Sequence, residues 1–345
     1  MSLILTTTDG KEIREQSFSS FECDLTNLMT FQLTIPSADF DSYLVEGARV
    51  YVPGTEFGGI IGITGSNTKD KTVTMTGHNW RGLLNYKVIS PPAGADYKIV
   101  SGELNSIIRG LIADANISNL FVVPEVSTGI TLSNYKFYRY ATLYQGIEKM
   151  LNEVQNLGDY PPYRMDLKFT QAQAGLPGYV SIQAVEAVDY SETIELSQDN
   201  RLDFTIQKKR DGVNHLICLG QGELAQRTVR HLYADRMGKI SQTQTLFGVD
   251  EIVEIYDNSG AENPTTLIEE GTKRMQEVTN NETFEMDAAE LNIDVAIGDK
   301  IGGRDYITGI TCADYVTNKI YKIENGATSI EYTIGGDRTD YPIVE

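Results

Sequence analysis

The sequence predicts a mainly β chain with an inserted α+β domain, in which two small β-barrel-like modules flank the insert. Three observations predict it. Apolar and polar residues alternate with period two from Leu3 to about Val100, the spacing turns helical after Pro91-Pro92, and alternation returns beyond Arg201. The expected domains are residues 1–100, a first β-barrel-like module; 101–200, the α+β insert; 201–290, a second β module with one helix over 265–278; and 291–345, a C-terminal β segment completing that second module. No repeat of fixed period runs through the chain, although two β modules around an insert would permit an internal duplication.

In the first module, Leu3-Ile4-Leu5 leads into the turn residues Asp9-Gly10, and Phe31 to Ile35 alternates before Pro36 stops the strand. Arg49 to Val52, Gly59 to Ile63 and Thr72 to Gly77 follow as short strands between glycine-rich and polar turns. Such strands must close on themselves or stack to hide their edges. In the insert, Ser101-Gly102-Glu103-Leu104 opens a helix, and Leu104, Ile107, Ile108, Leu111 and Ile112 recur at helical spacing. A second helix carries Leu143, Ile147, Met150, Leu151, Val154 and Leu157 on one stripe, with Gly158 placed to stop it. Arg164 to Phe169 and Tyr179 to Ile182 read as a hairpin beneath that stripe. The second module begins with Asp203 to Ile206 and His215 to Leu219, then the helix TLIEEGTKRMQEV, then alternating strands to the end.

Charge narrows the function. Lys and Arg number 29 against 48 Asp and Glu, a formal charge of −19, and the stretch from Asp250 onward holds 21 acids and 7 bases. A chain so acidic is a poor general binder of nucleic acid, because phosphates repel it and no counterion release is gained. Cys23, Cys218 and Cys312 stand apart without a CxxC pair, so buried reduced thiols are expected rather than disulfides or a zinc site. The N-terminus has no secretory apolar region, and no apolar run approaches the roughly 18–20 residues that span a bilayer. Synthesis in the cytoplasm is the expectation.

Gly220-Gln221-Gly222-Glu223-Leu224-Ala225 matches the GxGxxA form of a dinucleotide loop. That chemistry needs a βαβ unit and an acid about 20 residues on to hold the ribose, and no alternating βα pattern follows, so a glycine turn between antiparallel strands is expected. Among the histidines, His78, His215 and His231, none sits in HExxH, and GxSxG is absent. His78 beside Trp80 is expected to pack. Asp294, Asp299 and Asp305 with Gly298, Gly302 and Gly303 do not follow the EF-hand ligand order and read as solvated turn acids. Lys208, Lys209 and Arg210 with Arg227 and Arg230 interrupt the acidic chain; they are candidates for contacts with an acidic face of another copy.

Two segments point to a family. Gly54-Thr55-Glu56-Phe57-Gly58-Gly59 and, after His78-Asn79, Trp80-Arg81-Gly82-Leu83-Leu84 resemble the tail-hub proteins of long-tailed bacteriophages of Gram-positive hosts. The resemblance continues through Pro91-Pro92, Ser101-Gly102-Glu103-Leu104-Asn105, Tyr138-Arg139-Tyr140, the Gly220-Gln221-Gly222-Glu223 turn, Gly271-Thr272-Lys273-Arg274 and Glu331-Tyr332-Thr333-Ile334-Gly335. It implies a homotrimeric ring in the virion that joins the tail tube or distal tail protein to the tip or receptor-binding proteins. It also implies passage of DNA without binding, a structural role for Gly54, Thr55, Glu56, Gly58, Gly59, Trp80, Arg81, Gly82, Gly220, Gly222 and Glu223, and no catalytic residue, cofactor or metal. With the chain ending at Glu345 after the final strand pattern, any cell-wall or receptor-binding activity is expected on another protein. The competing function is an enzyme of the phage tip, either a glycosidase using a carboxylate pair or a nucleotide binder at the Gly220 loop.

Overall fold

The computed structural model describes residues 2–156, 160–171, 175–191, 195–197, 205–207, 212–235, 239–261, 263–279, 283–289, 294–304, 306–309, 311–324 and 326–335. The chain forms two compact units, one of residues 1–204 with 285–345 and the other of residues 205–284. As expected, it is mainly β with several sheets and a few helices.

The larger unit opens with β1 (Leu3–Thr6), β2 (Glu12–Gln16), β3 (Ser20–Asp24), β4 (Thr30–Pro36), β5 (Arg49–Tyr51), β6 (Gly58–Asn67), β7 (Thr72–Asn79) and α1 (Trp80–Asn85). The insert follows as β8 (Lys98–Glu103), α2 (Leu104–Asp114), β9 (Phe121–Val122), β10 (Thr131–Phe137), α3 (Leu143–Glu153), β11 (Tyr163–Thr170), β12 (Tyr179–Glu186) and β13 (Glu195–Ser197). The smaller unit holds β14 (Thr205–Gln207), β15 (His215–Leu219), β16 (Val229–Ala234), β17 (Ile240–Ser241), β18 (Val253–Asp257) and α4 (Pro264–Val278). The chain closes with β19 (Thr283–Ala289), β20 (Lys300–Arg304), β21 (Thr311–Glu324) and β22 (Ala327–Ile334).

In the larger unit the main sheet runs β19-β22-β21-β3-β4-β7-β6-β5-β1-β2. Period two decides which face is inside: Phe31, Leu33 and Ile35 of β4 are buried while Gln32 between them is exposed. Phe21, Tyr321 and Phe57 lie behind the sheet in one core, with Phe57 and Tyr321 stacked at 4.4 Å between ring centroids.

The C-terminal strands have partners on both sides: β22 lies antiparallel to β19, from Met286 opposite Ile334 to Ala289 opposite Glu331, and β21 lies antiparallel to β3, from Ile320 opposite Asp24 to Glu324 opposite Ser20. Alternation identifies a strand but not its partner, and β21 crosses nearly the whole sequence to find β3. The core is continuous across residue 100. Tyr51, Trp80 and Leu84 share one hydrophobic cluster with α2, α3 and the β11–β12 hairpin.

Within the insert, the hairpin pairs in full from Tyr163 opposite Glu186 to Thr170 opposite Tyr179, and β9 joins β12 in parallel. Helix α3 begins with a capping box in which Thr142 and Gln145 satisfy each other's backbone N–H groups. Its predicted stop at Gly158 lies outside the described residues.

Ser101-Gly102-Glu103 ends strand β8 rather than opening the helix, and Glu103 is the N-cap of α2. Its Oε2 accepts from Ser106 N at 3.0 Å, and its Oε1 accepts from Thr128 N at 2.8 Å and Thr128 Oγ1 at 2.7 Å. Burial pushes this carboxyl up, but the hydrogen bonds to its charged form outweigh it and hold the pKa below the ordinary range. Asn105 completes the clamp, donating to Val126 O and accepting from Ala184 N.

Glu103→Ala is expected to cost about 1 kcal/mol or more in urea denaturation, the usual value of a helix cap. A group whose folded pKa is depressed stabilises above its unfolded pKa of about 4.3, and that contribution disappears as pH falls through the folded value. The stability difference between wild type and Glu103→Gln should therefore shrink in acid.

Candidate functional site

The two motif segments meet inside the larger unit. Between β5 and β6 the chain makes a tight turn: Gly54 takes φ +74°, Thr55 Oγ1 donates to Val52 O at 2.8 Å, and Val52 N donates to Phe57 O at 2.8 Å. The same turn grips the hairpin, since Phe169 N donates to Thr55 O at 2.9 Å. After it, Gly58 and Gly59 run so close to neighbouring strands that a Cβ on Gly59 would strike the backbone of His78 and the ring of Phe31.

Helix α1 starts where β7 ends. Asn79 caps it by accepting from Gly82 N at 2.8 Å, and its amide donates to Asp24 O and Leu25 O. Gly82 leaves room for the carbonyl of Met29. The first turn of this helix therefore enters the core side on, carrying Trp80 and Arg81. Phe169 is stacked between two rings, with Tyr51 at 3.9 Å and Trp80 at 5.3 Å between centroids.

Arg81 lies between two acids from different elements. Its Nε and Nη2 donate to Glu56 Oε2 at 3.1 and 2.9 Å, Nη2 reaches Met165 O at 3.5 Å, and Nη1 stands 3.6 Å from Glu148 Oε1 on α3. The side chains of Arg81, Glu56 and Glu148 are 3%, 13% and 6% exposed. Burial would lower the guanidinium pKa, but Glu56, Tyr144 and Glu148 raise it further than burial lowers it. Both carboxylates are thus spent on one buried cation. The motif residues Gly54, Thr55, Glu56, Gly58, Gly59, Trp80, Arg81 and Gly82 thus converge on a joint between the main sheet and the insert. Glu148 was missed from sequence because it sits inside the apolar stripe of α3.

In the smaller unit the sheet order is β17-β16-β15-β18, and α4 covers one face with Leu267 and Met275 against Leu216, Cys218 and Leu232. The Gly220 loop joins β15 to the antiparallel β16, so the βαβ geometry of a dinucleotide loop is not built there. Gly220 N donates to Thr228 O at 2.8 Å, Gly222 takes φ +108°, and Glu223 precedes a 3₁₀ turn over Leu224–Gln226. Arg227 holds the turn from within the unit, donating through Nε to Gly220 O at 2.9 Å and pairing with Asp257. Arg230 donates to Val229 O. Lys208, Lys209 and Arg210 lie outside the described residues.

The structure also brings together a group not read from the sequence. His215 Nδ1 lies 2.6 Å from Glu251 Oε1, and His215 Nε2 lies 2.8 Å from His231 Nδ1. An ionised carboxylate only accepts, so His215 Nδ1 is the donor toward Glu251. Among the described residues no hydroxyl or thiol is hydrogen-bonded to either ring. His78 packs edge-on against Tyr86, whose hydroxyl is 2.8 Å from Nε2.

Asp299 corrects the reading of the glycine-rich acids as solvated. It is buried, with Oδ1 accepting from Arg164 Nε at 2.8 Å and Val188 N at 2.9 Å, and Oδ2 from Ala296 N at 2.9 Å. Asp294 remains solvated, its side chain 87% exposed while it pairs with the buried Lys319 at 2.6 Å, and Asp305 lies outside the described residues. Other C-terminal acids form ion pairs nearer the surface: Glu254 and Glu277 with Arg274, and Glu331 with Lys322. Cys23 and Cys218 are buried free thiols, as expected, and burial pushes both pKa values up.

Comparison with solved structures gives the fold a counterpart. The 43 kDa tail protein of prophage MuSo2 from Shewanella oneidensis superposes with a TM-score of 0.58 over 99% of both chains, at 11% identity. The chain shares its fold with a prophage tail protein. A tail protein from Neisseria meningitidis MC58 gives 0.54 at 15% identity over 99% of both chains. A chain of the p2 virion baseplate in its activated conformation gives 0.50 at 11%, over 99% of this chain and 100% of that one. No protein-family profile and no curated protein matches the sequence. Among the described residues no helix is long and apolar enough to cross a membrane.

Arg81→Met should leave Glu56 and Glu148 buried without their cation and cost about 3–5 kcal/mol in denaturant unfolding. Adding Glu56→Gln and Glu148→Gln to that variant should recover much of the loss. Full stability of Arg81→Met alone would contradict the joint.

Proposed function

We propose that this chain is a structural subunit of a phage or prophage tail, forming a homotrimeric ring at the distal end of the tail. The reading is supported by one observation above the rest: the end-to-end fold match to a prophage tail protein, over 99% of both chains, at only 11% identity. The motif segments add support because their side chains are spent on a buried joint rather than on a pocket.

In this reading the ring joins the tail tube or distal tail protein to the tip or receptor-binding proteins. It is made in the host cytoplasm and resides in the virion. The narrower assignment, to tails of phages of Gram-positive hosts, rests on the motif resemblance alone. DNA passes through the ring without binding, repelled by those C-terminal carboxylates that the chain's own cations leave unpaired. The role is mechanical, not enzymatic, and needs no cofactor; the antiparallel strands around Gly220 speak against the nucleotide alternative.

Negative-stain microscopy with light scattering of the purified protein tests this. Threefold rings of three chains with an open centre are expected, and duplex DNA should not be retained on them. A monomer at every concentration, or a particle without a central passage, would contradict the ring.

A further inference from the structure

We infer that an exposed aromatic patch at one end of the main sheet, made of Leu28, Tyr86, Val88 and Tyr140 and flanked by Lys87 and Arg139, is where a second copy of this chain docks. The inference rests on the ring reading and names the face that the ring uses.

The fold brings these residues together from three distant stretches. Leu28 lies in the turn before β4, whose first residue Thr30 pairs with His78 at the end of β7. The ring of Tyr86, just past α1, stands edge-on to His78 at 4.5 Å between centroids. Val88 bridges to Thr142, two residues after Tyr140. Leu28, Tyr86, Val88 and Tyr140 are 68%, 66%, 53% and 53% exposed. Single exposed apolar side chains are ordinary; a group of them at one place marks a contact surface, and tyrosine with arginine is the composition of interface hot spots. Tyr140 also holds φ 57°, a left-handed conformation unfavourable for an L residue, while the Arg139 guanidinium lies 5.3 Å from its ring centroid.

Charge selects the occupant. Lys87 and Arg139 have no ion pair among the described residues, in a chain whose formal charge is −19. A face of the same chain supplies the complement. On β3, β21 and β22, Lys322 stands opposite Glu22, binds Glu331 at 2.8 Å and is two residues from Glu324, so three carboxylates surround one ammonium. Patch and complement share no residue, so a contact that joins them is heterologous, the type that gives a ring when its rotation closes. Opposite charges also steer the encounter.

Light scattering of the full chain over a range of concentration tests the contact, with circular dichroism confirming the fold of each variant. Val88→Asp, and separately Lys87→Glu with Arg139→Glu, should raise the concentration needed for assembly at least tenfold. Placing Glu22→Lys and Glu324→Lys in the same chain as Lys87→Glu and Arg139→Glu should restore assembly. Variants that assemble like a trimeric wild type overturn the patch and leave the ring reading standing; failure of the charge swap to restore assembly overturns the named complement. A wild type that never assembles overturns the ring and this inference together.

Discussion

The larger unit depends on one buried cation. Arg81 of helix α1 sits where the turn before β6, helix α3 and strand β11 meet, and each of these three contributes a group that faces the guanidinium. Such an ion pair is not a strong source of stability, since removing two charges from water costs about as much as their attraction returns. What it supplies is specification. A guanidinium left without either acid in that core is so unfavourable that only arrangements placing Glu56 and Glu148 around it survive. The glycines serve the same end: Gly58, Gly59 and Gly82 let backbone pass within contact distance, so that the turn and the helix can reach each other.

Much of this was legible in the sequence, and the failures share a cause. Period two located β1, β4, β5, β6 and β7 of the main sheet but not β2 or β3, the stripe from Leu143 located α3, and the absence of a following βα unit identified the Gly220 segment as a turn. What alternation cannot carry is pairing across distance. The residues near Tyr321 read as strand, but nothing local says that Cys23 lies opposite. Site residues followed the same rule: Glu56 and Arg81 stood out in short motifs, whereas Glu148 was hidden among the apolar residues Tyr144, Ile147 and Leu151 of α3. The His215, His231 and Glu251 group needed the β15–β16 register before it existed as a group at all. Asp299 looked like a turn acid because burial of a carboxylate is decided by a partner, here Arg164, far away in sequence.

The acidity of the chain takes on a more particular meaning in the structure. Several of the described C-terminal carboxylates are ion-paired with cations of their own unit, Asp299 in the interior and Asp257, Glu254, Asp294 and Glu331 nearer the surface. Field effects on a passing duplex must come from the remainder. The basic residues are also not a single patch: Arg227 is committed to its own turn, while Arg139 lies over the exposed ring of Tyr140 and, with Lys87, has no ion pair among the described residues. A subunit that carries both an acidic face and a basic aromatic one is suited to repeated head-to-tail contact with itself.

The most direct test of the central claim, that this chain is a structural ring subunit of a tail, is its copy number in assembled tails. Quantitative mass spectrometry of tails purified from cells carrying this gene should find three copies per tail, co-purifying with tube and tip proteins through a density gradient. Absence from the assembled tails, with the protein left in the unassembled fraction, would contradict it.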